Sequence, residues 1–129
     1  MEREGGVDIE KVREFIHRKE EKRKQALDAR FQRATADCDA IVSRVIHELR
    51  PTRVYQWGSL LDRSRFTEMS DIDIALEGLE GPEAYFGALG IAMELTEIPV
   101  DIVEIERLPQ GIADRIRHRG RLVYEQKGS

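Results

Sequence analysis

Residues 8–49 contain neither proline nor glycine, and no other feature of the 129-residue chain constrains its fold as strongly. So long a run without a breaker predicts a helix, or two in succession, capped by Asp8 and stopped by Pro51. Leu27, Phe31, Ala34, Cys38, Ile41 and Val45 recur at steps of four and three, which is one face of an α-helix. Val42, Ile46 and Leu49 widen that face, so this half is expected to pack on the rest of the chain. Cys38, on the stripe, reads as a small buried hydrophobe rather than a reactive thiol. The preceding half is different. Val12, Phe15 and Ile16 form a short apolar patch, but residues 17–25 include no apolar side chain. Glu14/Arg18 and Glu20/Lys24 are i,i+4 pairs in the favourable order, which suits a solvated helix better than a nucleic-acid patch. Unbroken, the run would be roughly 60 Å long, against a radius of gyration of about 14 Å for a compact chain of this size. Either the helix breaks near residues 17–25, or its first half projects towards a partner protein or a second copy of the chain. The partner contact is the favoured alternative.

The length fits one domain, divided here into a helical extension over residues 1–50 and a core over 51–126. Residues 4–6 and 127–129 are the only loose-looking stretches. The formal net charge of -4 argues against nucleic-acid binding by the surface as a whole. No apolar stretch approaches the roughly 20 residues of a membrane span, and no secretory signal is visible. One cysteine excludes an intramolecular disulfide. A cytoplasmic protein is expected, whose function comes from a local site.

The chemistry concentrates between residues 53 and 105. RVYQW at 53–57 is β-branched and aromatic and runs into Gly58-Ser59, a strand ending in a tight turn. Tyr55 and Trp57 are expected to pack beneath the long helix. From Ser70 the sequence reads SDIDIAL, a period-2 pattern with Ile72, Ile74 and Leu76 on one face and Asp71 and Asp73 on the other. Gly81 and Pro82 open a helix over residues 82–95, with Tyr85, Phe86, Leu89 and Met93 as its apolar face. VDIVEI at 100–105 is a second strand with Asp101 in β-branched company. A short helix over 110–118, with Gly120 at its end, leads to a last short strand or an extended segment packed on the core at 122–124.

Singly, these aspartates read as caps or exposed strand residues. An aspartate buried among Val and Ile, however, carries a desolvation cost of several kcal/mol unless something positive compensates. Three carboxylates on adjacent strands would also repel one another, and neither strand contains a lysine or arginine. A hard divalent cation, Mg²⁺ or Mn²⁺, resolves both problems. The Gly58-Ser59 turn offers backbone N–H groups and a hydroxyl to a phosphate, with the dipole of a following helix as a further contribution. Phosphate cradle, paired aspartates and a third aspartate together describe metal-assisted phosphoryl or nucleotidyl transfer.

WGS, SDIDIAL and VDIV in this order resemble the DNA-polymerase-β-type nucleotidyltransferase superfamily, and more narrowly its minimal nucleotidyltransferases of the HEPN-associated toxin–antitoxin type. The closing IADRIRHRGRLVYE is similar to the tail of that group. The resemblance implies an α+β nucleotidyltransferase fold: a small mixed β-sheet flanked by helices, here with a long N-terminal helical extension. It implies that Asp71, Asp73 and Asp101 bind two Mg²⁺ ions, that Gly58 and Ser59 hold the triphosphate of ATP, and that Asp101 helps activate the attacking hydroxyl. Arg63 and Arg65 lie in the intervening loop, where they are either solvent-exposed or part of a triphosphate clamp. The implied acceptor is a tyrosine of a HEPN-domain toxin, which would make this chain an antitoxin that adenylylates its partner. The alternative is a non-catalytic antitoxin that sequesters its partner through the long helix. Only 28 residues follow Asp101, too few to enclose a small-molecule acceptor or a template, so another subunit is expected to complete the site. His17, His47 and His118 have no metal-ligand spacing, and Glu77 reads as an exposed strand end.

Overall fold

A computed structural model describes residues 6–128, so the loose ends expected at Glu4-Gly5 and Ser129 lie outside the described residues. The chain runs α1 (Ile9–Leu49), β1 (Arg53–Trp57), β2 (Ile72–Glu77), α2 (Pro82–Leu95), β3 (Val100–Glu104), α3 (Gln110–Arg119) and β4 (Arg121–Glu125). The strands form one mixed sheet in the order β3-β2-β1-β4. β1 is antiparallel to β2 and β4, while β2 and β3 are parallel and joined through α2.

The long helix does not break. Asp8 caps it by accepting from the N–H groups of Glu10 and Lys11 at 3.1 and 3.3 Å. Arg50 ends it in the left-handed region at φ 49°, its N–H bonded to the Ile46 carbonyl, with Pro51 next. Every residue from 9 to 26 is exposed, whereas Ala34, Cys38, Ile41 and Val45 are buried. The first half therefore projects from the body, by about 27 Å at helical rise. Its ion pair is Glu10–Arg13 at 3.5 Å, and among the described residues neither expected i,i+4 pair comes within ion-pair distance.

The second half of α1 packs with α2 on one face of the sheet, against Val54, Ile72, Ile74, Leu76 and Ile102. The far half of the expected extension is thus part of the core. Cys38 sits in this layer, and burial pushes its thiol up to about 12. α2 buries Ala88, Ile91 and Ala92, with Tyr85 and Leu89 partly covered, while Phe86 and Met93 are 66% and 82% exposed. The apolar face expected there is corrected in part. The helix is apolar nearly all round, so periodicity cannot select its inner face. Contact selects it, with Gly87 facing Leu49 of α1.

The other face of the sheet carries α3, where Tyr55, Ala75, Ile105, Ala113 and Ile116 form a second cluster with Trp57 at its edge. Tyr55 and Trp57 therefore lie beneath α3 and not beneath the long helix, because Val54 and Gln56 occupy the alternate positions facing the other way. Gly120 ends α3 with φ −76°, so its conformation asks nothing special of glycine. A Cβ there would meet the Ile116 and Gln56 carbonyls at 2.5 and 3.1 Å.

Candidate active site

Strand alternation places Asp73, Ala75 and Glu77 on the α3 side of the sheet, and Ile72, Ile74 and Leu76 on the α1 side. In the parallel β2–β3 ladder Asp73 stands directly beside Asp101, at the roughly 4.8 Å spacing of adjacent strands. Asp71 lies one residue before β2, at the strand mouth, and its charge is felt at Asp73. Burial, then the Asp101 charge, then that of Asp71 push the Asp73 carboxyl up to about 7 from its ordinary 3.8.

The expectation that Asp101 is the buried aspartate is reversed. Asp101 is exposed, because β3 is an edge strand with a neighbour on one side only. Asp73 is half-buried, between β1 and β3. Among the described residues no group of three His, Cys, Asp or Glu forms a ready set of cation ligands. The core of the site is therefore the Asp73–Asp101 pair, with Asp71 beside it. A divalent ion fits these residues chemically: it would relieve the repulsion that opposes ionisation of Asp73, with phosphate and water oxygens completing its shell.

Gly58 joins β1 to this face. Its φ is +83°, and a Cβ there would lie 2.1 Å from Asp73 Oδ2, so the Asp73 carboxylate occupies the space that only glycine leaves. Ser59 then opens a single 3₁₀ turn, Ser59–Leu61, followed by a second, Arg63–Arg65. The helix expected after the turn is thus too short to contribute a macrodipole. The loop from 58 to 71 is held to α1. Leu60 and Phe66 are buried, Phe66 meets Phe31 edge-on at 5.2 Å, and Arg30 donates to the Ser70 carbonyl at 3.2 Å.

The two loop arginines separate. Arg63 pairs with Asp28 of α1 and lies 5.7 Å from the Phe31 ring centroid, so it ties the loop down. Arg65 lines a cavity of about 360 Å³ together with Trp57, Gly58, Leu61, Ile112, Arg115 and Arg119. Reading the sequence missed Arg115 and Arg119. Their i,i+4 spacing on α3 was visible, but their approach to Gly58 was not. Glu77, expected exposed, is half-buried and links Arg53 at 3.5 Å and Arg117 at 3.4 Å. All three histidines are exposed.

A family model described as polymerase beta, nucleotidyltransferase matches residues 40–129. Among solved structures, one described as the toxin–antitoxin with AMP-PNP is 18% identical, covers 67% of this chain and 73% of that one, and has a TM-score of 0.53. Another, described as the toxin–antitoxin MntA-HepT, is also 18% identical, covers 71% and 73%, and has a TM-score of 0.50. At such identity the likeness is one of fold. No curated protein matches the chain. Among the described residues no helix is long and apolar enough to cross a membrane.

Proposed function

The chain belongs to the polymerase beta nucleotidyltransferase family, and from that premise we propose that it is a Mg²⁺-dependent antitoxin that moves AMP from ATP onto a tyrosine hydroxyl of a HEPN-type toxin in the cytoplasm. The observation that carries this reading is the Asp73–Asp101 pair across β2 and β3, set against the Gly58 turn. Asp71, Asp73 and Asp101 would hold the two ions, Mg²⁺ or Mn²⁺, while Gly58 and Ser59 would meet the triphosphate. When bound, the ions supply charge neutralisation and lower the pKa of the attacking hydroxyl. The chain's own part is positional. The exposed edge of β3 leaves Asp101 open to a hydroxyl carried by another protein, whose proton its carboxylate can accept. Arg63, committed to Asp28, acts by holding the phosphate loop on α1. The toxin acceptor is supported by the fold likeness to two toxin–antitoxin structures, one described with AMP-PNP.

The test is mass spectrometry of the candidate toxin after incubation with this protein, ATP and Mg²⁺. A tyrosine gaining one AMP is expected. Asp73→Asn and Asp101→Asn should each reduce transfer by more than about 100-fold, the upper range for changes that only reorient metal ligands. Absence of any adduct on the toxin, or variants that transfer as well as the parent, would overturn the proposal.

A second reading is favoured by the exposure of residues 9–26: the projecting helix binds the toxin and neutralises it without chemistry. Replacing all three aspartates by asparagine separates the two, since sequestration survives that change and catalysis does not.

A further inference from the structure

β3 is an edge strand, and the direction of its backbone groups is fixed where it begins. The Ile72 N–H donates to the Pro99 carbonyl at 2.9 Å. In a parallel ladder this turns the N–H and C=O groups of Asp101 and Val103 towards β2. Those of Val100 and Ile102, with the Glu104 N–H, then point away from the sheet. Among the described residues the group bonded on that outer side is the Tyr85 hydroxyl. It donates to the Ile102 carbonyl at 3.0 Å and leaves that oxygen a second lone pair. Exposed edges are commonly blunted by lysine, proline or a bulge. Val100–Glu104 contains neither residue, and its register with β2 is unbroken. Its two charges are otherwise committed: Glu104 pairs with Arg107 at 3.1 Å, and Asp101 belongs to the pair with Asp73. The two faces beside this edge differ. Asp101 and Val103 lie on the α3 side. On the α2 side is a cavity of about 400 Å³, lined by Pro82, Tyr85 and Phe86 of α2 and by Ile102, Val103 and Leu108. Phe86 at this groove is a large aromatic that the fold itself leaves exposed.

We propose that the acceptor protein presents its hydroxyl on an extended segment that adds to β3 as a further strand. A strand laid along the edge continues the alternation of the sheet, so its successive side chains fall by turns on the aspartate face and in the groove. The hydroxyl residue then stands beside Asp101, and the residue next to it in sequence, an apolar one, enters the Phe86 groove. The assignment rests on the nucleotidyl-transfer reading of the aspartate face and names how its acceptor is recognised. Main-chain bonds to Val100 and Ile102 supply affinity, and the groove selects the neighbour of the hydroxyl residue. One occupant thus accounts for an edge that nothing blunts, an exposed Phe86 and an Asp101 on the outermost strand. A helix laid at the same edge would leave the outward groups unmet, because its own N–H and C=O groups are bonded internally.

Amide hydrogen exchange of the full chain, followed by NMR, reads strand addition directly. The probe is a seven-residue peptide with tyrosine at its centre and valine on both sides, compared with a counterpart carrying serine in place of the valines. With the valine peptide in excess, the amides of Val100, Ile102 and Glu104 should exchange at least about tenfold more slowly. Those of Asp101 and Val103, already bonded to β2, and those of β4 at the opposite edge should not change. The serine peptide should bind about tenfold more weakly, and Phe86→Ala, at an exposed position, should erase that preference. Alternate residues of an added strand turn their N–H groups to the edge. N-methylation of the tyrosine amide, or of the two valine amides, should therefore abolish binding in one case and spare it in the other. Loss in both cases or in neither overturns the assignment. So do outer amides left unprotected at millimolar peptide, or a valine preference that survives Phe86→Ala. If the peptide protects the outer amides but gains no AMP from ATP and Mg²⁺, and the candidate toxin gains none either, the transfer reading falls and the docking edge stands. If Phe86→Ala transfers AMP to the candidate toxin with the parent's KM, the edge falls and the transfer reading stands.

Discussion

The two halves of α1 belong to one unbroken helix and are stable for different reasons. Over residues 27–49 the helix is held by burial, with Ala34, Cys38, Ile41 and Val45 nearly inaccessible against the sheet. Over residues 9–26 nothing is buried, and Val12, Phe15 and Ile16 remain 39%, 53% and 49% exposed. There the helix rests on the Asp8 cap, on local pairs such as Glu10–Arg13, and on continuity with the packed half. Freedom from glycine and proline permits a long helix, but a sustained apolar stripe decides which part of it joins a core.

The largest effect that could break this contrast is a core truncation. Ile41→Ala should cost about 3 kcal/mol of global stability in chemical denaturation, the usual range for a fully buried isoleucine. Ile16→Ala, half-exposed on the projecting half, should change it by less than about 0.5 kcal/mol. Equal costs would mean that the first half packs on something in solution.

The body should differ from the projecting half in its response to pH as well. Asp73 titrates near 7 when folded against an ordinary 3.8, so the folded chain holds that proton more tightly than the unfolded one. The contribution of Asp73 to stability is therefore constant below about pH 4, falls as pH rises between about 4 and 7, and stays lowered above 7. In EDTA, Asp73→Asn should remove that slope and raise stability at pH 8 by about 1 kcal/mol, after allowing for screening at a half-exposed group. Melting curves across this range check it, and a variant that keeps the parent's slope would contradict the assignment.

The smallest effect concerns the cap. Asp8→Ala removes the acceptor for Glu10 and Lys11 and should cost up to about 1 kcal/mol locally. The first turns should then exchange their amide hydrogens faster while the global melting temperature is unchanged. A lower melting temperature would show the two halves to be coupled more closely than their burial suggests.

Much of the fold could be read from local pattern. The cap at Asp8, the stop at Pro51, the four strands and the 82–95 helix follow from side-chain period and from glycine and proline placement. The alternation that sets Asp71 and Asp73 opposite Ile72 and Ile74 was equally visible. The errors have a common origin. Phe86 and Met93 were assigned inward, Tyr55 and Trp57 to the wrong layer, and Asp101 to the interior, because period reveals that a segment has two faces without revealing what covers each. Arg63 and Arg65 looked alike in one loop, yet one answers Asp28 and the other faces α3.

By itself, the amino-acid order determined where the main helices and strands lie and which side chains share a face, though not whether the long helix is continuous, since these are properties of backbone geometry repeated every two or 3.6 residues. Only the tertiary structure decided that Asp73 rather than Asp101 is desolvated, that Gly58 makes room for its carboxylate, and that Arg115 and Arg119 stand beside the turn. Those facts depend on strand order, register and the layer each helix covers, which bring together residues that no local period connects.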